Sequence, residues 1–550
     1  MMTWSKWLAV AGCAALACAS FSSCQSAPAV VEPIPVPAPA PVPGSAAPPL
    51  AFDPAPQACA SHVAPTPGPD YPTYKYNCEM PPLPPGYPLP RPIDERPWRA
   101  AASGPLDVDQ PENIAKLMAA LKAYVAPVFN PYIADPTNDA KRPDKAGWRM
   151  MPWLGDVDCE AGWDSGRDSA VGTSTGQLIP AGTLPGQRTD PATGNLQNHS
   201  ITWYDPWASF ALSAVFGAPS PGVGDPLKQQ MVDGAVLVKM GVLTPYADGT
   251  HWPTVEAAPQ WPVFRPPVGS NTNYCENKDP STFKLLSTRL IQFDIILKSS
   301  YFAPKSEWVF ATWLFDPDAQ GAQPLDKLTL LGVMWGNDPG IAQTDLCTPV
   351  SPLQENWINP ETPEYGYQQL GWGCRLAGPI DIARRTATFS DGTTCSTARV
   401  SSCLSCHGSS EYSLNPSLNA ATLYPLLKGY PTPEDPRFLV ADPGSAQWNN
   451  WFQSRSPRDP QGDQQGNNRG EYLAFDYDMV FITSLPVSRA ASGDDALEAH
   501  AREYLKHITH SRKQDPAALL AKSALAPKGS PSAGCDCSCL PKTKKPAKKK

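Results

Sequence analysis

Apolar residues first recur at helical spacing between residues 107 and 125. Ile114, Leu117, Met118, Leu121 and Val125 follow one another at three- and four-residue steps, with Pro111 suited to a first turn and Asp109 to a cap. The folded part of the chain is therefore expected to begin near Asp107. A second helix is expected to open at Asp205-Pro206 and to run through Trp207, Phe210, Ala211, Ala214 and Val215. Beyond it the period shortens towards two. The stretches 234–243, 287–298, 307–315 and 328–335 are rich in Val, Ile, Leu, Phe and Trp and are bounded by turn residues, the signature of buried or half-buried strands. A last strand is expected over Ala474 to Ser484, and Asp316 to Gly321 reads as a hairpin turn. No repeat at a fixed period is visible. The expected class is α+β, a mixed domain over residues 98–390 with an antiparallel β-rich core.

Both ends of the chain break this pattern. Lys6 is followed by an apolar run from Trp7 to Phe21, too short for a membrane span but suited to the core of a signal peptide. The run ends in Phe21-Ser22-Ser23-Cys24, which resembles a bacterial lipoprotein signal. Residues 1–24 are read as that signal, with Cys24 as the lipidated residue and Cys18 or Cys13 as rival sites. An ordinary cleaved signal is the other reading. No other apolar stretch approaches the ~20 residues of a membrane span. Residues 25–97 form a spacer in which prolines alternate with small residues, as in Pro33-Ile34-Pro35-Val36-Pro37. That favours semi-rigid polyproline II over helix or sheet. Residues 491–525 suit an amphipathic helical segment, with Leu497, Tyr504, Leu505 and Ile508 near one face and Pro516 interrupting it. Residues 526–550 form a Cys/Lys-rich tail, expected to be solvated and disordered.

Composition narrows the class. The net charge of −8 leaves no overall footprint for nucleic acid. The 17 Trp, mostly between about residues 148 and 451, place a substantial core there. Fifteen Cys fit an oxidising compartment better than a reduced cytosol. Cys159, Cys275, Cys347, Cys374 and Cys395 are expected disulfide partners, with Cys395 near enough in sequence to brace the segment that follows it, together with Cys374.

That segment carries the chemistry. Cys403-Leu404-Ser405-Cys406-His407 has the spacing of c-type haem attachment. Two thiols separated by two residues can each form a thioether to one vinyl group of a porphyrin, and the adjacent imidazole then falls under the iron. With 15 Cys and 7 His in the chain, chance placement has odds of roughly one in two hundred. A thioredoxin-like couple would need a strand leading into the motif, whereas Ser390 to Cys395 reads as a polar turn. A zinc site would need two further ligands at matching spacing. One covalent haem c is expected on a cytochrome c-like segment over residues 391–490, packed on the large domain. For the distal side, Met479 is the candidate that follows the motif. Met334 is upstream, His500, His507 and His510 read as solvated, and a vacant sixth position remains open. The acidic run Asp156, Asp158, Glu160, Asp164, Asp168 and the loop Asp316–Gly321 both fail the calcium-loop pattern.

With these residues assembled, the chain resembles a proteobacterial group of exported monohaem cytochrome c-like proteins over roughly residues 200–485. The likeness is carried by Trp308 to Thr312, Gly332 to Pro339, Trp357 to Pro360, Gly371 to Gly373 and Ser402 to Gly408. The resemblance implies thioethers at Cys403 and Cys406 and proximal ligation by His407. It implies electron transfer with a redox partner protein, on the periplasmic side or at the outer membrane, and membrane attachment through the lipid. A haem enzyme or sensor with an open iron is the second expectation, and a carbohydrate- or partner-binding domain with ancillary haem the third. The sequence assigns no oligomeric state.

Overall fold

A computed structural model describes residues 83, 85–86, 95–150, 168, 170–179, 181–216, 230–267, 280–339, 341, 352–377, 385–388, 394–398, 401–413, 446–462 and 466–481. The expected signal with Cys24 and Cys18, the segment 491–525, the tail and most of the spacer lie outside the described residues.

A nine-stranded antiparallel sheet forms the centre. Its strands are β1 (Arg149–Met150), β2 (Ser174–Ile179), β3 (Leu196–Tyr204), β4 (Val236–Leu243), β5 (Gln260–Arg265), β6 (Lys284–Lys298), β7 (Trp308–Phe315), β8 (Leu328–Met334) and β9 (Asn356–Ile358). They run in the order β1-β3-β4-β6-β7-β8-β9, with β2 also on β3 and β5 also on β6. The fold is α+β. The four strands read from the apolar stretches coincide with β4, β6, β7 and β8. The loop starting at Asp316 joins β7 to β8, and the Asp316 carboxylate accepts from Thr329 Oγ1 and Asp318 N.

Strand alternation gives the sheet two faces of different chemistry. On one, Trp203, Val238, Ile295, Ala311 and Val333 form a cross-strand row. Helix α1 (Pro111–Ala134) covers this face. Its Phe129 meets Phe293 edge-on at 5.6 Å, and its Tyr132 meets Trp203 at 5.6 Å and Trp261 at 5.1 Å. The helix is capped at Gln110 rather than Asp109 and continues past Pro127 and Pro131, because Phe129, Tyr132 and Ile133 are still buried there. Helix α2 (Ala208–Phe216) opens as expected, with Asp205 Oδ1 accepting from the amides of Trp207 and Ala208.

The opposite face carries two adjacent rows. One is Tyr204, Leu237, Ile296, Phe310 and Met334; the next is Thr202, Lys239, Asp294, Thr312 and Gly332. Helix α3 (Cys403–His407) and residues 475–481 share the core of this sheet, through Leu404, Phe475, Tyr477 and Phe481.

Two local expectations are corrected. Of the strand expected over Ala474–Ser484, Ala474 alone is in a strand among the described residues, which end at Phe481: β13 (Tyr472–Ala474) pairs with β12 (Glu411–Ser413), residues 475–478 turn, and Met479 to Phe481 are helical. Asp476 and Tyr477 take left-handed φ angles of 52° and 61°, which no strand accommodates. The polar turn expected up to Cys395 is instead a strand at its end, since β11 (Thr394–Ala398) pairs antiparallel with β10 (Arg385–Thr388).

Candidate haem-attachment site

Helix α3 is short and held from its start. Ser402 Oγ accepts from the Ser405 amide at 3.0 Å while the Ser402 amide donates to Ser405 Oγ at 2.7 Å, a reciprocal cap. Ser402 Oγ also donates to Asn337 Oδ1 at 2.5 Å. The Cys403 amide donates to Leu376 O at 2.9 Å, and the Trp372 amide to Ser401 O at 2.8 Å. Buried Arg375 ties these loops together, donating to the carbonyls of Asn337, Asp338 and Trp372. Two of the resemblance blocks, Gly332–Pro339 and Gly371–Gly373, thus hold the helix that carries the motif. Adjacent Cys374 is in a disulfide. Cys403 and Cys406, three residues apart on the helix, are half-buried and in no disulfide.

His407 is oriented by chain that lies 70 residues away. Its Nδ1 lies 2.8 Å from Tyr477 O. A carbonyl only accepts, so Nδ1 carries the proton and Nε2 keeps its lone pair. The ring packs on Phe310 with centroids 4.8 Å apart. Burial, and then the charge of Lys239, pushes the imidazole down to about 4 against the opposing bond to Tyr477, so it is neutral near pH 7. Gly408 must be glycine: a Cβ there would lie 2.8 Å from Leu404 O and 2.9 Å from Arg455 Nη2.

The segment presenting Tyr477 O is pinned at each residue. Asp476 accepts from Lys298 Nζ at 2.6 Å, Trp308 Nε1 at 2.9 Å and Met231 N at 2.5 Å. Tyr477 Oη donates to Arg455 O at 2.9 Å, and Asp478 Oδ1 accepts from Tyr204 Oη at 3.0 Å. Ser410 Oγ donates to Asp478 O at 2.5 Å. These bonds offset the cost of two consecutive left-handed residues, of order 1–3 kcal/mol each.

Next to this brace, burial pushes the Glu411 carboxyl up to about 8, opposed first by Arg455 and then by the amides of Gly462 and Gln461. The folded chain keeps a proton that the unfolded chain has released. Its contribution is therefore complete below the usual carboxylate range and is lost as pH rises through about 8. The thermal midpoint is expected to fall between pH 5 and 8.5, and Glu411→Gln to flatten that fall. Melting curves across this range check it.

Of the remaining sequence candidates, Met479 follows Tyr477 by two residues and packs half-buried against the core. Met334 is fully buried and sits directly across from Phe310. His500, His507 and His510 lie outside the described residues, as does the acidic run apart from Asp168, which accepts from the amides of Ala170, Val171 and Thr173 within its own loop. Among the described residues no three His, Cys, Asp or Glu side chains converge on one point. Phe310, Asn337, Asp476 and Tyr477 escaped the sequence reading as site residues, although Phe310 and Asn337 stand in the blocks that carry the resemblance. No family profile, no curated protein and no solved structure matches this chain.

Proposed function

We propose that this chain is an exported c-type cytochrome, holding one haem through thioethers at Cys403 and Cys406 with His407 as its proximal ligand. The observation that carries the reading is the bond from His407 Nδ1 to Tyr477 O beside two half-buried thiols outside any disulfide. Iron-ligating histidines characteristically donate their second ring nitrogen to a carbonyl or carboxylate, which fixes the tautomer and the ring orientation. The residues present therefore fit the group. Haem bound in this way supplies a ferric/ferrous couple whose potential depends on ligation, burial and hydrogen bonding. The chain's own part is to hold the imidazole neutral and aimed, and to pack it against Phe310.

In this reading, lipid at Cys24 (or Cys18) and the proline-rich spacer tether the folded part on the periplasmic side or at the outer membrane, where a redox partner protein exchanges electrons with it. A potentiometric titration of the purified haem-loaded chain is expected to follow a reversible one-electron curve. Absence of any redox-active haem band would contradict the reading. A haem enzyme or sensor with an open iron is the second reading, and the polar row beside His407 favours it.

A further inference from the structure

We infer that Arg455 is a positioning residue for the haem ligand: it holds both partners of the hydrogen bond between His407 and Tyr477, and through that bond it lowers the reduction potential of the iron. This inference rests on the haem-attachment reading above.

Three hydrogen bonds form a closed circuit at the ligand. His407 Nδ1 donates to Tyr477 O at 2.8 Å, Tyr477 Oη donates to Arg455 O at 2.9 Å, and Arg455 Nη2 donates to Gly408 O at 2.6 Å. Gly408 is the residue after His407, so the third bond returns to the segment from which the first departs. The circuit joins chain separated by 70, 22 and 47 residues. Asp476 fastens the acceptor side of the first bond to the sheet through Lys298 and Trp308. Arg455 reaches the acceptor side and the ligand side together.

The chemistry of the residue suits this role. Arg455 is 4% exposed and Tyr477 5%, so little water competes for their bonds. Both arms of the guanidinium go to main-chain carbonyls, Nη2 to Gly408 O and Nη1 to Asn450 O at 3.3 Å. These carbonyls stand at the end of α3 and in the last turn of the short helix Ala446–Trp451, where a cation is favoured. A planar fork spans two such acceptors in one fixed geometry, which a flexible ammonium does not. Gly408 lets the parts meet: a Cβ there would lie 2.9 Å from Arg455 Nη2 and 3.1 Å from Tyr477 Cε1. Tyr477 is held at both ends, its phenol by Arg455 and its carbonyl by the imidazole.

Ligand chemistry gives the direction of the effect. Donation from Nδ1 raises the basicity of the imidazole, and a more basic ligand favours ferric over ferrous iron. Opening the circuit weakens that donation and raises the potential. The charge of Arg455 acts in the opposite sense, because a nearby buried cation favours the ferrous form. Variants that keep the charge therefore separate the two roles.

The test uses full-length protein in which mass spectrometry has established one covalent haem; absence of that haem would refute the underlying reading, not this inference. Arg455→Lys keeps the cation and gives up the fork, and Tyr477→Phe keeps the carbonyl and gives up the Oη bond. Each is expected to raise the midpoint potential by about threefold in the ferrous-to-ferric ratio, or about 28 mV at about 59 mV per tenfold change. The double variant is expected to rise no further than the larger single one, because both substitutions open the same circuit. An unchanged or lowered potential in either single variant would overturn the inference, whatever its melting temperature, since the circuit would then be structural alone. So would two rises that add in the double variant.

Discussion

Asp476→Ala is expected to lose about 3–5 kcal/mol of stability and to release His407 from its orientation. Asp476 is fully buried and accepts from three donors, one of them the ammonium of Lys298, itself only 2% exposed. Truncation leaves that ammonium with Glu307 at 3.0 Å but without its nearer partner, and leaves Trp308 Nε1 and the Met231 amide without acceptors. It also removes the anchor of a left-handed residue next to Tyr477, whose carbonyl holds the imidazole. Asp476→Asn keeps part of the hydrogen bonding and loses the charge, so its loss is expected to be smaller. Urea titrations of the two variants against the parent protein measure both effects. Equal stability of all three would contradict this account of the brace.

The second large effect is spectroscopic. In His407→Ala the thioethers at Cys403 and Cys406 are expected to persist while the imidazole ligand is lost, so the haem band moves and added imidazole restores it. The truncation also leaves Tyr477 O without its donor, at about 1–3 kcal/mol. A spectrum identical to that of the parent protein would mean that another side chain ligates the iron.

The strands that the sequence made legible are those with continuous Val, Ile, Leu, Phe and Trp. β4, β6, β7 and β8 are buried on both faces, so composition alone marks them. β3 was missed because Asn198, Ser200 and Thr202 interrupt its apolar pattern, and they do so because they lie on the polar face beside the candidate site. Residues 475–481 misled for the opposite reason. Phe475, Tyr477, Met479 and Phe481 alternate as a strand would, yet Asp476 and Tyr477 are left-handed and the apolar side chains pack into the core without strand pairing. Local rules are broken where the chain must aim a carbonyl at an imidazole.

The candidate site divides in the same way. Cys403, Cys406 and His407 are contiguous, so a spacing rule finds them. The groups that orient them are not, since Phe310, Asn337 and Tyr477 come from three separate segments joined only by the fold. No periodicity records such contacts. Met479 was a distal candidate because it follows the motif, and it packs half-buried against the core two residues after Tyr477.

The central claim is that Cys403 and Cys406 carry a covalent haem. The most direct measurement is the intact mass of the full chain, produced in cells that attach haem to exported proteins, beside that of the Cys403→Ser/Cys406→Ser double variant. The account predicts that the parent chain is heavier than its sequence by one haem and that the double variant is not. A parent chain with no added haem, carrying two thiols or a Cys403–Cys406 disulfide, would contradict it.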